Sequence, residues 1–318
     1  MLTRCPLSGS VFALSCVIKV RHIHYSTKIG KIPQIMYNIY MAKAQLFQKD
    51  LPEEDRIFYY DSTEDDPIKT EEQEKTGNKV ELEDGYVFIT KNPFMKIYDF
   101  CLYHGFKLFA RYYARFYLHM KVENRKVLKK AKGKGYVVYA NHTNPFHDAF
   151  SPALVADRRI YTICSPANLH IPGVGKFLPH IGALPLGKNP EQKKQFNDAL
   201  DERLRQKRCL VIYPEAHVWP YYTKIRKFPA GDRSFKYPVR NDLPIFTMTT
   251  TYQKSKKKGQ ARPDMTVYVD GPFYPDKNKS EDENRAMLAD KAYESMIKWS
   301  KKSNYEYFQY RKKSTKKK

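Results

Sequence analysis

From residue 136 onward the chain alternates between short apolar runs and longer amphipathic stretches. The runs are Tyr136–Ala140, Ile160–Cys164, Gly182–Leu186, Cys209–Tyr213, Leu243–Thr249 and Thr266–Asp270. They have the length of strands and the near-continuous apolarity of strands covered on both faces. Between them, Glu191–Lys207 places Phe196, Leu200 and Leu204 on one stripe, and a last amphipathic stretch runs from Asp282 to Ser300. Both have helical spacing. Strands alternating with helices predict an α/β fold with a mixed, largely parallel sheet flanked by helices.

Upstream, Phe94 to Met120 is dense in aromatics, with no proline and a single glycine, Gly105. Lys107, Arg111, Arg115 and His119 recur every four residues and predict one polar stripe on a helix. Phe106, Leu108, Phe109, Tyr112, Tyr113, Phe116, Tyr117 and Leu118 fill the other faces. Two settings fit such an amphipathic aromatic segment. One is a bilayer interface, where rings and long cationic side chains are both at home. The other is a helix packed on its own domain with a wet basic edge.

Two segments precede this helix. Residues 1–49 carry seven Lys/Arg and no acid. Their short apolar run, Val11 to Ile18, is too short to span a bilayer. The segment has the look of a transit peptide, and a start at Met36 or Met41 reads equally well. Residues 50–91 reverse the balance, with fourteen acids against five bases, and predict a solvated lead-in closed by a strand at Gly85–Thr90. The expected organisation is a basic extension (1–49), an acidic lead-in (50–91), one domain (92–302) and a basic tail (303–318).

Composition narrows the function classes. With 42% hydrophobic and 14% aromatic residues among 318, the chain has the material for a core, which excludes wholesale disorder. A mean hydropathy of −0.68 excludes a polytopic membrane protein. Cys5, Cys16, Cys101, Cys164 and Cys209 are odd in number and never at CxxC spacing. They predict neither a disulfide framework nor a zinc ribbon, and fit a reducing, cytoplasmic compartment. The net charge of +23, of which residues 92–318 hold +25, calls for a nucleic acid or an anionic membrane surface. The nucleic-acid reading lacks an RNP-type aromatic strand, a GxxG clamp or zinc-finger spacing.

Chemistry concentrates at two strand ends. The run Tyr136–Ala140 delivers Asn141 and His142 to its carboxyl end, where α/β folds place their sites, and Asp148 follows across a loop containing Pro145. A histidine there acts as a general base if a carboxylate fixes its tautomer. Alone, such a pair is more often a structural contact. A second run, Cys209–Tyr213, delivers Glu215 and His217 to the same edge, and Pro172–Lys188 lies between the two.

These residues resemble those of the glycerolipid acyltransferase family, which includes the 1-acyl-glycerol-3-phosphate acyltransferases. Asn141-His142 through Asp148 is similar to its histidine–aspartate block, and Gly175 through Lys188 to a second block ending in a basic residue. Tyr213-Pro-Glu-Ala-His217 is similar to a third block, usually Phe-Pro-Glu-Gly-Thr-Arg, and Leu243-Pro244-Ile245 to a fourth. The likeness runs from about Phe94 to Pro272, with all four blocks in family order.

The resemblance implies acyl transfer from a thioester to a hydroxyl of a lysophospholipid or related glycerolipid. The donor would be acyl-CoA or acyl carrier protein, without metal or further cofactor. His142 would be the base, held by Asp148, and backbone amides near Asp148 would receive the oxyanion. Glu215 would bind acceptor hydroxyls, Lys188 with Lys224 or Arg226 would meet any phosphate, and Asn141 and His217 would line the site. The enzyme would sit peripherally on a membrane. Three departures stand out: five residues rather than four between His142 and Asp148, Lys188 in place of arginine, and Ala216-His217-Val218 in place of Gly-Thr-Arg. They leave an acceptor without phosphate open. The competing classes are a nucleic-acid-binding protein and a non-catalytic membrane-surface protein on the same fold.

Overall fold

The computed structural model describes residues 51, 53–63, 81–144, 147–171, 173–229 and 231–313, all within a compact unit of residues 34–318. The expected N-terminal extension and the last five residues of the tail lie outside the described residues.

The six apolar runs are the strands of one sheet. Tyr136–Ala140 (β3) and Ile160–Cys164 (β4) match the sequence reading residue for residue. The others are Ala183–Pro185 (β5), Cys209–Ile212 (β6), Ile245–Gln253 (β7) and Asp264–Phe273 (β8). A three-residue strand that the pattern did not predict, Lys121–Glu123 (β2), completes the order β2-β8-β7-β3-β6-β4-β5. From β7 to β5 all neighbours are parallel; β8 runs antiparallel to β7, and β2 is parallel to β8. The sheet is mixed and largely parallel.

β3 occupies its centre, and all five residues are buried. Successive side chains of a strand leave on opposite faces. Tyr136, Val138 and Ala140 accordingly enter one core with Ala110, Ala114 and Phe150. Val137 and Tyr139 enter the other, with Phe196, Leu200 and Leu204 of Pro190–Arg205 (α3) and Leu288, Ala292 and Met296 of Glu281–Ser300 (α5). Both helices start on caps the sequence carries. Asn189 accepts from the Gln192 amide at 2.8 Å ahead of Pro190, and Ser280 with Glu283 forms a capping box. Gly182 precedes β5 at φ +112°, where a Cβ would lie 2.3 Å from the Ile160 carbonyl oxygen. Only glycine fits this crossing.

The aromatic helix is shorter than its pattern. It starts at Pro93 behind an Asn92 cap and ends as an α-helix at Tyr112 (α1). One wide turn, Tyr113–Tyr117, follows, and His119 at φ +51° leaves the stripe. Of the basic stripe, Lys107 and Arg111 face inward: Lys107 Nζ donates to the Arg158 carbonyl at 3.1 Å and Arg111 Nε to the Ala153 carbonyl at 2.9 Å, while Arg115 is exposed. The exposed face instead carries Phe94, Ile97, Leu108, Phe109, Tyr112 and Phe116. The helix packs on its domain, with its apolar side outward.

The described residues on either side of the domain pack more than their composition predicts. Gly85–Thr90 is turn and loop rather than strand, yet Leu82 is buried and Phe88 meets Phe196 edge-on. Ile57–Tyr60 (β1) pairs in parallel with Gln309–Lys312 (β9) as a separate two-stranded sheet. Phe58 stacks on Tyr310, and the Leu51 amide donates to the Tyr307 hydroxyl at 2.8 Å. The remaining helices are short, Ser151–Val155 (α2) and Lys236–Arg240 (α4).

Candidate active site

Two parallel neighbours, β3 and β6, end side by side, and the loops leaving them meet. His142 Nδ1 lies 2.8 Å from Asp148 Oδ2. The same oxygen accepts the amides of Thr143 at 3.1 Å and Asn144 at 3.0 Å. The loop therefore folds its own carboxylate back under the imidazole. Asp148 is buried at 5% exposure while the His142 side chain is 21% exposed. With Nδ1 held, Nε2 is the nitrogen left for an incoming group. Tyr213, at the end of β6, stacks on the imidazole with centroids 4.4 Å apart and donates its hydroxyl to the Asp148 carbonyl at 2.7 Å. The expected helix start at Asp148 is a three-residue 3₁₀ turn, His147–Ala149. The amides of Asp148 and Phe150 are taken up there by the carbonyls of Asn144 and His147.

Glu215 reaches the base through the backbone. Its Oε2 accepts the His142 amide at 2.8 Å and its Oε1 the Arg226 amide at 2.8 Å. Burial pushes its carboxyl above the ordinary value, against the pull of Arg226 and the backbone donors. Arg226 is buried as well, its guanidinium 3.9 Å from Glu215, over the Trp219 ring, and bonded to the carbonyls of Thr63 and His217. The Trp219 and Tyr221 amides return to the His142 and Thr143 carbonyls at 3.0 and 2.7 Å. Asn141 pairs with the backbone of Thr250 in β7 through both ends of its amide, at 2.8 and 3.0 Å. These contacts lock the post-β3 loop to its neighbours on both sides.

Residues 119–251 match the family model described as Acyltransferase. They run from β2 to β7 and include His142, Asp148, Lys188 and Glu215. This stretch of the chain is similar to that family's domain. A comparison with curated proteins gives no match. Among solved structures, the 1-acyl-sn-glycerophosphate (LPA) acyltransferase PlsC from Thermotoga maritima is 15% identical and covers 68% of this chain and 98% of its own, with a TM-score of 0.46.

Within the matched region the other sequence-selected residues have surroundings of their own. Lys188 Nζ bonds Asp84 Oδ1 at 3.0 Å and approaches Glu81 at 3.7 Å, so the acidic lead-in holds it. Asp84 above all raises its pKa. Lys224 is exposed, and His217 is half-buried with its carbonyl bonded by Arg226. His147 is buried, its ring 6.4 Å from that of Tyr113. The thiol of Cys164 is pushed up to about 12 by burial, and Cys209 is fully enclosed, which excludes both as thiolate nucleophiles. Sequence reasoning missed Tyr213 and Tyr252, whose hydroxyl lies 2.7 Å from that of Thr143. The signal for Tyr213 is its place directly before Pro214-Glu215, where the resembled block carries phenylalanine.

Proposed function

We propose that this domain moves a fatty acyl group from a thioester to a hydroxyl of a lysophospholipid or related glycerolipid. The observation that carries the reading is the 2.8 Å contact of His142 with the buried Asp148 at the carboxyl ends of β3 and β6. Nε2 of His142 takes the proton of the acceptor hydroxyl as its oxygen attacks the thioester carbonyl carbon. The carbon–sulfur bond then breaks, and the sulfur leaves as a thiol with the proton returned by the imidazolium. Asp148 stabilises the transient cation and holds the tautomer, as the carboxylate of a catalytic triad does. Glu215 acts as a positioning residue, fixing the His142 backbone between β3 and the loop after β6. A phosphate on the acceptor would draw Lys188 from its exposed partners Asp84 and Glu81.

The acceptor and product are bilayer lipids, and the outer face of α1 supports work at a membrane surface. Aromatic and aliphatic side chains in a row suit the headgroup boundary. Among the described residues no helix is long and apolar enough to cross a membrane, so α1 would lie on the bilayer.

The test is incubation of the purified full chain with labelled acyl-CoA or acyl carrier protein and a panel of lysolipids with and without phosphate. Ester product with release of one thiol per acyl group is expected; hydrolysis alone, or no turnover with any pair, would overturn the reading. Lys188→Ala is expected to raise the Michaelis constant of a phosphate-bearing acceptor and to leave that of a neutral one unchanged. Equal effects on both would remove Lys188 from the acceptor site.

A further inference from the structure

Beside α1 the surface holds a groove of ≈ 360 Å³ lined by Leu108, Tyr112, Phe116 and Leu154 on one side and Arg111, Arg115 and Arg125 on the other. No acid contributes to the lining. Two of the arginines are fixed by the end of α2: Arg111 Nε donates to the Ala153 carbonyl and Arg125 Nε to the Val155 carbonyl, each at 2.9 Å. That is ordinary capping of a helix C-terminus, and it accounts for one edge of two guanidinium groups. Arg111 Nη2 also reaches the Ala156 carbonyl at 3.5 Å; Arg111 Nη1 and the Arg125 amino groups are left, as is Arg115, which is exposed and makes no hydrogen bond or ion pair among the described residues. Next to the groove, burial together with Arg111 and Arg125 pulls the Lys107 ammonium below its ordinary value, against the opposite pull of Asp157.

We propose that this groove binds the phosphate headgroup of a membrane phospholipid, distinct from the acceptor site at His142. The lining is amphipathic, so the ligand it complements is an amphipathic anion. Arginine's planar fork suits phosphate oxygens. The apolar side continues into the exposed row of α1, where Leu108, Tyr112 and Phe116 are each more than half exposed, which places acyl chains against the helix and the phosphate over the arginines. The groove flanks the far end of α2 from Asp148. The inference rests on the membrane-surface reading above.

The experiment measures partition of the full chain onto phosphatidylcholine vesicles and onto phosphatidylcholine vesicles containing phosphatidate, at fixed ionic strength. Binding to the neutral vesicles tests the membrane reading itself; the gain from phosphatidate tests the groove. Arg115→Glu is expected to reduce the phosphatidate-dependent gain about tenfold or more, since each cation near an anionic surface contributes on the scale of a several-fold change, and to leave neutral-vesicle binding unchanged. Lys194→Glu, on α3 across the sheet, is the control for overall charge. Equal loss with Lys194→Glu would overturn the proposal in favour of diffuse attraction. Neutral-vesicle binding with no phosphatidate gain would overturn it while leaving the membrane reading standing, and no binding to either vesicle would overturn both. Displacement by millimolar inorganic phosphate or coenzyme A at matched ionic strength would assign the groove to a soluble anion instead. Thermal melts of both variants, expected to match the wild type, show that the fold is kept.

Discussion

At the scale of single residues, Asp148 is the side chain whose contacts are most sharply defined. One of its oxygens collects the imidazole and two amides. Asp148→Asn keeps the shape but removes the charge that stabilises the imidazolium, so acyl transfer is expected to fall roughly 10²–10⁴-fold with little change in the melting temperature. A loss below tenfold, measured at saturating substrates, would remove Asp148 from the chemistry. Ala216 carries a separate cost. It adopts φ +63°, a region in which a Cβ is strained by about 1–2 kcal/mol, at the position where the resembled block has glycine. Ala216→Gly is expected to stabilise by about 1 kcal/mol net of the added chain entropy, read as a melting-temperature rise of about 2–4 °C. A fall would mean that the strain is absent. The His142–Asp148 pair was legible because a buried strand followed by a polar loop exposes few residues to chemistry. The backbone reach of Glu215 was not, because sequence gives a side chain's type and not its angle: a carboxylate expected to meet the acceptor instead accepts two amides.

At the scale of elements, legibility followed burial. β3 and β4 were found to the residue because they lie inside the sheet. β7 was read too short, since Thr250 and Thr251 look polar, yet both are buried. Threonine is tolerated there when its hydroxyl is satisfied, as Thr251 is by the Thr266 carbonyl at 2.9 Å and Thr247 by Ser295 at 2.7 Å. β1, β2 and β9 are three or four residues long and carry no pattern a reader can count. The bend after α1 escaped because a four-residue charge repeat continues through a turn as readily as through a helix. One element contact also sets a pH dependence. Asp270 of β8 accepts the Trp299 indole of α5 at 2.8 Å and the Gly271 amide at 2.8 Å, with Ser295 and Lys298 near. Burial alone would raise its pKa; these groups outweigh it and hold the carboxyl below 3.8. The ionised form is thus favoured by folding, and its contribution is complete above about 3.8 and lost as pH falls through the lower folded value. Asp270→Asn is expected to melt lower than the wild type at pH 6, with the gap closing below pH 3.8. A gap independent of pH would contradict the assignment.

At the scale of the molecule, the outward face of α1 is apolar while Lys107 and Arg111 turn to the protein's own carbonyls. The excess of cations on residues 92–318 was evident from counting, but its arrangement was not. Lys107 and Arg111 of α1 bond protein carbonyls, the aromatic side faces out, and the acidic lead-in, expected to be free in solvent, returns to hold Lys188. Counting charges cannot show which cations are already bound by the fold. The proposed function makes His142, and not the neighbouring His147, the base of acyl transfer. The most direct measurement is single-turnover acyl transfer by the wild type, His142→Ala and His147→Ala, each with a matched circular dichroism melt. His142→Ala is expected to form no ester product while melting like the wild type, and His147→Ala to retain much of the rate. An active His142→Ala beside an inactive, folded His147→Ala would contradict it.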